Sequence, residues 1–286
     1  MLGIALEGGG ARCAAQAGAL AALASRGYHP DVVAGCGAGA WVAGMHAVGV
    51  RGEAMKRMIH TMQKTGPWVL RARKAGLSMA LRGGVARSVL CGEDGARLLK
   101  TLQWQTMNVA LTDVKMPLAI PVFDIDASDE LMLASQIPCK PSSLFWNRNA
   151  SLAQAIAAGL TTPGIMPPQN WRGRSLIGGA CRFMTLPDAL TDLGATRIIK
   201  IRVLTAKEAG MDVVTLSQAA SLPRDFEDSG LLRIYLPSAF TTLNFDCVDA
   251  SYEIGYKTCI DQMPRLAGLI FKRQDNILQF PIPTPQ

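Results

Sequence analysis

Two short apolar runs near the N-terminus are each followed by a glycine cluster and then by an alanine-rich stretch. This order predicts a strand, a tight turn and a helix, given twice in succession. The predicted units comprise residues 2–6, 8–10 and 11–26, and then residues 31–34, 35–39 and 40–48. Strands that alternate with helices predict a parallel sheet with helices on both faces.

The rest of the chain continues this pattern without a repeat or a linker. Apolar and β-branched runs predict strands at 118–123, 131–134, 175–177, 197–203 and 231–236, and helical spacing predicts helices at 152–158 and 249–262. The expected fold is therefore a single α/β domain over residues 1–286, built as three α/β/α layers around a mainly parallel sheet.

Composition agrees with a protein that has one large core. The chain has 286 residues, of which 49% are hydrophobic and 18% charged, so disorder and a fibrous repeat are excluded. Residues 32–50 carry no charged side chain over a length that could span a membrane, but five glycines within them favour tight turns instead. The start of the chain is typical of a strand rather than a signal peptide.

Cysteine usage points to an intracellular protein without a metal. The seven cysteines are odd in number, form no C-x-x-C pair and lie mostly in apolar runs. We expect buried, reduced thiols, no metal and no cofactor, and a cytoplasmic location.

A strongly basic segment, residues 51–87, lies within a chain of formal net charge +7. The segment holds nine Lys or Arg residues against Glu53 alone, with apolar side chains interleaved. It is predicted either to form a solvated basic helix face or to contact an anionic membrane surface peripherally. We expect no nucleic-acid binding, because stacking aromatics do not accompany the charges. The candidate lipid contacts are Arg51, Lys56, Arg57, Lys64, Arg71, Arg73 and Lys74.

The first glycine turn is a candidate anion site. Backbone N–H groups at a glycine turn that leads into a helix are unpaired, and the helix dipole is positive there. The residues that would form it are Gly8, Gly9, Gly10, Ala11 and Arg12. Such a turn could hold a phosphate, a carboxylate or the oxyanion of acyl transfer, or it could be a turn with no ligand.

The second turn, Gly35-Cys36-Gly37-Ala38-Gly39-Ala40, matches the G-x-G-x-x-A dinucleotide pattern, but no acidic residue follows at the end of the next strand. Taken together, the two turns resemble the patatin-like phospholipase family. In that family Gly-Gly-Gly-x-Arg-Gly forms the oxyanion hole, and Gly-x-Ser-x-Gly-Ala is the nucleophile elbow.

The resemblance extends to about residue 260. It includes a strand that ends in Asp124, the run Ala155-Ile156-Ala157-Ala158-Gly159 with Pro163-Gly164 and Pro167-Pro168 after it, Leu186-Pro187-Asp188, and Tyr252-Glu253-Ile254-Gly255-Tyr256. The resemblance implies a patatin-like fold and a lipid acyl hydrolase site in which an Asp activates the elbow Ser.

Both catalytic positions differ from the family pattern. Gly37 stands where the resemblance places the nucleophilic Ser, and an ungapped match places Gly178 where it implies the Asp, or Ile177 if the match slips by one residue. Glycine has no hydroxyl to attack an ester, and without the Asp no base is placed to activate a water.

We therefore expect a catalytically inactive homologue that binds a lipid or fatty-acyl ligand or regulates an active patatin-like relative. Two alternatives remain open: hydrolysis through a rearranged site with Cys36 as nucleophile, and phosphate or nucleotide binding through the glycine turns. Cys13, Cys36 and Cys181 lie beside the altered loops and are expected to be packed thiols, and His29, His46 and His60 to be core or surface residues.

Overall fold

The computed structural model describes residues 1–65, 92–141, 145–162, 166–178, 186–205, 230–241 and 244–271. The strands are β1 (Leu2–Leu6), β2 (Val32–Gly35), β3 (Leu118–Asp124), β4 (Asp129–Ala134), β5 (Phe145–Asn147), β6 (Gln169–Trp171), β7 (Arg174–Gly178), β8 (Arg197–Thr205) and β9 (Leu231–Leu236). The helices are α1 (Cys13–Ser25), α2 (Ala38–Ala47), α3 (Gly52–Thr65), α4 (Gly92–Gln105), α5 (Leu152–Leu160), α6 (Leu186–Asp192) and α7 (Val248–Phe271).

The strands form one sheet in the order β5-β4-β3-β2-β1-β8-β9, with β7 paired to β3 and β6. The run β3-β2-β1-β8-β9 is parallel, whereas β4 and β7 are antiparallel to β3. The predicted mainly parallel α/β sheet is confirmed. Because β1 and β2 are parallel neighbours, the glycine turns that follow them lie at the same edge of the sheet.

Two strands share one edge of β3. On its other edge β3 pairs with β4 from Ala119 to Asp124. Strand β2 pairs with the beginning of β3, at Leu118 and Ala119, and β7 pairs with its end, from Val122 to Asp124. The end of β2 and the end of β7 therefore approach each other along β3, about three residues apart, or roughly 10 Å.

Helices cover both faces of the sheet. The larger core cluster includes buried side chains of α1, α2, α5 and α7, and the smaller one includes α6 against the opposite face of β1 and β2. Helices α1 and α7 pack at very short range, since a Cβ added to Gly18 would lie 2.0 Å from the carbonyl oxygen of Tyr252. Only glycine allows two helix backbones to approach so closely.

Most predicted elements are present with small shifts at their ends, and two helices were missed. Helix α1 begins at Cys13 after a short 3₁₀ turn, Gly10–Arg12, and α7 continues to Phe271 with Pro264 inside it. Helices α4 and α6 and strands β5 and β6 were not predicted, whereas α3 lies in the basic segment, for which a helix face was one of the two expectations. The uncharged stretch 32–50 forms β2, a turn and α2, and no helix within the described residues is long and apolar enough to cross a membrane.

Candidate functional site

The turn between β2 and α2 is a sharp strand-to-helix elbow. At its apex Gly37 has φ 54° and ψ −133°, a backbone conformation that residues with side chains rarely adopt. Two further glycines close the elbow: a Cβ on Gly35 would lie 2.2 Å from the Gly39 oxygen, and one on Gly39 would lie 2.2 Å from the Leu6 oxygen. The elbow geometry is thus set by close backbone packing against the end of β1.

The glycine turn after β1 lies directly beside this elbow. A Cβ on Gly37 would lie 3.1 Å from the Gly8 Cα atom. Within the described part of the chain, no acceptor is paired with the N–H groups of Gly8, Gly9 or Gly10. Arg12 is 6% exposed, and both its backbone N–H (3.2 Å) and its Nε (3.1 Å) donate to the Gly9 oxygen. The two sequence-predicted loops therefore meet, with backbone donors at their junction.

A buried carboxylate holds the base of the glycine turn. Glu7 precedes Gly8 and is 5% exposed. Its Oε1 lies 2.7 Å from Lys200 Nζ, and its Oε2 lies 3.0 Å from Arg202 Nε, both on β8. The Gln16 amide donates to the Glu7 carbonyl oxygen. Sequence reasoning missed this anchor, although two cations spaced two apart on a strand are a signal that they share one face.

The end of β7 brings Gly178 to the same region but leaves no space beside it. Gly178 donates its N–H to the Thr161 oxygen at 2.9 Å. A Cβ on Gly178 would lie 2.6 Å from the Gly159 oxygen and 2.9 Å from the Thr161 oxygen. The backbone at the C-terminal end of α5 thus fills the position where a side chain of residue 178 would begin.

The strand register assigns residues 177 and 178 to opposite faces of the sheet. Gly178 pairs with Val122, which belongs to the core cluster that includes α2, whereas Ile177 pairs with Phe123. Side chains alternate along a strand, so residue 178 faces the elbow-helix side and Ile177 faces away from it. Residues 179–185, which include Cys181, lie outside the described residues.

The described thiols near the site are buried, as expected. Burial raises the pKa of Cys13 to about 12, so it stays protonated at neutral pH. Cys36 is 1% exposed and packs in the smaller core cluster, with Val32 and Ala34. Within the described ranges no cluster of His, Cys, Asp or Glu could hold a metal ion.

The three histidines lie in different settings. His46 is buried in α2 and 2% exposed, and burial together with nearby Arg51 and His29 lowers its pKa to about 3. His60 is partly exposed, and its Nε2 lies 3.1 Å from Asp249 Oδ1.

Asp124 is the carboxylate at the end of β3, and it is fully engaged in the following turn. It is 1% exposed. Its Oδ1 accepts hydrogen bonds from the N–H groups of Asp126 (3.0 Å) and Ala127 (3.2 Å), and its Oδ2 lies 3.1 Å from Arg174 Nη1. These bonds fix the β3–β4 turn and its contact with β7.

Two of the predicted lipid contacts bind other groups of the protein, and their contact with lipid stays a prediction. Arg51 donates to the His46 carbonyl oxygen. Lys56 has a side chain only 16% exposed, because it lies near Glu53 (3.2 Å), Asp249 (3.6 Å) and Glu253 (3.7 Å). Arg57 is exposed, while Arg71, Arg73, Lys74 and the side chain of Lys64 lie outside the described residues.

Known proteins are similar to this chain in sequence or in fold. Relatives from Mycobacterium bovis and Mycobacterium tuberculosis, each described as an uncharacterized NTE family protein, are 28% identical over 176 residues, which is 62% of this chain and 41% of theirs. The chain thus spans about two fifths of the length of these relatives. The crystal structure of VipD from Legionella pneumophila superposes with a TM-score of 0.51 at 15% identity, covering 93% of this chain and 66% of that one, and so shares the fold.

Residues 4–190 match the family model described as patatin-like phospholipase, which accounts for more than half of the chain and includes both glycine turns, the elbow and β7. The chain belongs to the patatin-like phospholipase family.

Proposed function

We propose that this protein is a catalytically inactive patatin-like homologue that binds a lipid or fatty-acyl group at the glycine turns or regulates an active relative. One observation carries the proposal. The apex of the elbow has the strained backbone that would present a nucleophile, yet residue 37 is a glycine. No hydroxyl or thiol can project from that point, so the covalent step of acyl transfer has no starting atom.

The surroundings of Gly178 support the same conclusion, because they leave no room for a catalytic base. Its register places it on the elbow-helix face, near the end of β2, where the resemblance implies the catalytic Asp. The Gly159 and Thr161 oxygens occupy the space in which that carboxylate would begin. Asp124 is no substitute, since its two oxygens are bound to the β3–β4 turn and to Arg174.

The alternative nucleophile, Cys36, has little support. Successive side chains on a strand point to opposite faces, and Cys36 packs into the core cluster on the face opposite α2. Its sulfur is therefore directed away from the face that α2 and Gly178 share.

The first glycine turn supports the binding half of the proposal. The N–H groups of Gly8, Gly9 and Gly10, together with the Arg12 side chain, favour a carbonyl oxygen, a carboxylate or a phosphate oxygen. An acyl chain carries such a group at its head, so this cradle suits a fatty acid or an ester that is held without being cleaved.

The decisive test is hydrolysis of short-chain esters and of phospholipids by the purified chain, with an active patatin as positive control and the Cys36→Ala variant beside it. Oxyanion donors alone give about 10³-fold acceleration over water, far below a working enzyme. We expect the wild type and Cys36→Ala to be equally slow within that limit. Turnover comparable to the active patatin would refute inactivity, and its loss in Cys36→Ala would identify the thiol as nucleophile.

Binding is tested separately with a soluble short-chain fatty acid, by ¹H–¹⁵N spectra of the full chain. We expect the largest shifts at the amides of Gly8, Gly9 and Gly10. Shifts confined to other residues would show that the cradle does not hold the acyl head group.

A further inference from the structure

Helix α4 exposes two large apolar side chains at its C-terminal end. Trp104 is 74% exposed and Met107, in the turn that follows, is 90% exposed. Arg97 and Lys100 are exposed one to two turns earlier along the same face. The opposite face, with Leu98, Leu102 and Gln105, is buried in the protein. We refer to Arg97, Lys100, Trp104 and Met107 as the α4 stripe.

The backbone keeps the apolar end of the stripe pointing outward. Met107 and Asn108 both have φ 50°, in the left-handed region that non-glycine residues adopt at a cost. The turn is fixed by hydrogen bonds from the Thr106 hydroxyl to the Leu102 oxygen (2.8 Å) and from the Asn108 N–H to the Gln103 oxygen (2.8 Å). The exposed Met107 is thus held on a defined turn rather than on a loose end.

A buried hydrogen bond connects α4, which carries the stripe, to the elbow helix α2. Gln105, next to Trp104, accepts a hydrogen bond from Trp41 Nε1 at 2.9 Å, and both side chains are buried. Trp41 lies one helical turn, about 6 Å along the axis, after Gly37. Helix α4 would therefore lie between a surface bound by the stripe and the helix that begins at the elbow.

We propose that the α4 stripe docks the protein onto an anionic lipid bilayer, with Trp104 and Met107 entering the interfacial region and Arg97 and Lys100 meeting lipid phosphates. Tryptophan is favoured at the boundary between apolar chains and head groups. Charge complementarity selects this occupant. Arg97 and Lys100 lie on the N-terminal side of the apolar pair, and although Glu93 and Asp94 balance them within α4, the chain carries net charge +7 and the basic segment 51–87 ends shortly before α4 in sequence. The proposal goes beyond the proposed function and does not depend on whether esters are cleaved.

The first test is co-sedimentation of the full chain with vesicles of phosphatidylcholine alone and with 30% phosphatidylglycerol. We expect binding to the anionic vesicles that weakens with salt and falls at least tenfold in Trp104→Ala/Met107→Ala. Arg97→Gln/Lys100→Gln should weaken binding more than Lys257→Gln/Arg265→Gln, which removes the same charge from α7. Equal binding by wild type and the Trp104→Ala/Met107→Ala variant, or no wild-type binding at low salt, would overturn the proposal.

A second measurement covers the case of a misfolded variant. Lipids brominated near the head group should quench the fluorescence of the wild type, and Trp104→Phe should keep binding while losing the quenched component. Quenching unchanged in Trp104→Phe would show that another tryptophan meets the membrane. Sedimentation of lipid-free protein tests whether a second copy of the chain binds the stripe instead. A wild-type dimer that becomes monomeric in Trp104→Ala/Met107→Ala would make the stripe a self-association face and refute membrane docking.

Discussion

Gly37 follows β2 and Gly178 ends β7, two strands that pair with the same edge of β3. Both stand where the family resemblance implies a catalytic side chain, but their surroundings differ. Among the described residues, a Cβ on Gly37 would meet only the Gly8 backbone, at 3.1 Å from its Cα atom. A Cβ on Gly178 would lie 2.6 Å from one backbone oxygen and 2.9 Å from another. A shift of a few tenths of an ångström admits a side chain at 37, whereas a side chain at 178 requires the backbone at 159–161 to move.

The difference shows that the two halves of the site are held by different forces. The elbow conformation depends on the packing of Gly35 and Gly39 against β1, so it persists whatever residue stands at 37. The position of an acid depends on a gap between β7 and the end of α5, and the Gly178–Thr161 hydrogen bond closes that gap. A nucleophile could return by one substitution, but its base could not.

The largest effect is expected for Gly178→Asp, which should lower the free energy of unfolding by about 4 kcal/mol. Its Cβ would collide with backbone, and its buried carboxylate would face two carbonyl oxygens without a donor. Gly178→Ala isolates the steric part and should cost about 2–3 kcal/mol. Urea unfolding measures both, and an Asp variant as stable as wild type would show that the gap opens readily.

The same comparison predicts the activity of the double variant Gly37→Ser/Gly178→Asp. We expect it to remain inactive toward short-chain esters, because the Asp cannot take its place beside the Ser without displacing residues 159–161. Turnover well above that of Gly37→Ser alone would contradict the closed gap and show that the remaining machinery is intact.

Gly37→Ser should destabilise the protein less, by about 1–3 kcal/mol, from its left-handed φ and the contact with Gly8. Gly27→Ser is the matched control, because Gly27 has φ 78° and no described residue lies within 4 Å of an added Cβ, so it reports backbone strain alone. We expect about 1 kcal/mol there. A cost for Gly37→Ser as large as that for Gly178→Asp would remove the distinction between the two positions.

The parts of the fold that local patterns determine were predictable from the sequence. The run Leu2–Leu6 and the alanine-rich stretch after Cys13 carry their own strand and helix signals, and the structure confirms both. The glycines of the elbow are informative because a strand-to-helix turn this tight excludes other residues. A helix face was one expectation for the basic segment and α3 forms there, but the charge pattern did not show that Lys56 is held by acids from α7.

The closure at Gly178 could not be predicted, since it depends on contacts with Gly159 and Thr161, which are distant in sequence. The same holds for the Glu7 anchor on β8 and for the exposure of Trp104, which follows from what packs against the other face of α4. Sequence identifies a missing side chain, whereas tertiary packing determines whether the space for it remains.

The smallest predicted effect uses His46, near the far end of the elbow helix, to test whether α2 stays in place. Its folded-state pKa of about 3 lies below the ordinary value of 6.5, so the unfolded chain gains a proton first as pH falls, and stability present above pH 6.5 is progressively lost. The expected loss is about 1 kcal/mol between pH 6.5 and 5.5, measured as the difference from His46→Gln. If the elbow admits a side chain by a local shift alone, Gly37→Ser will show the same pH dependence as wild type. If the free energy of unfolding of Gly37→Ser depends less steeply on pH, water reaches His46 and α2 moves as a whole. The elbow would then be no more tolerant of a side chain than the closed gap at Gly178.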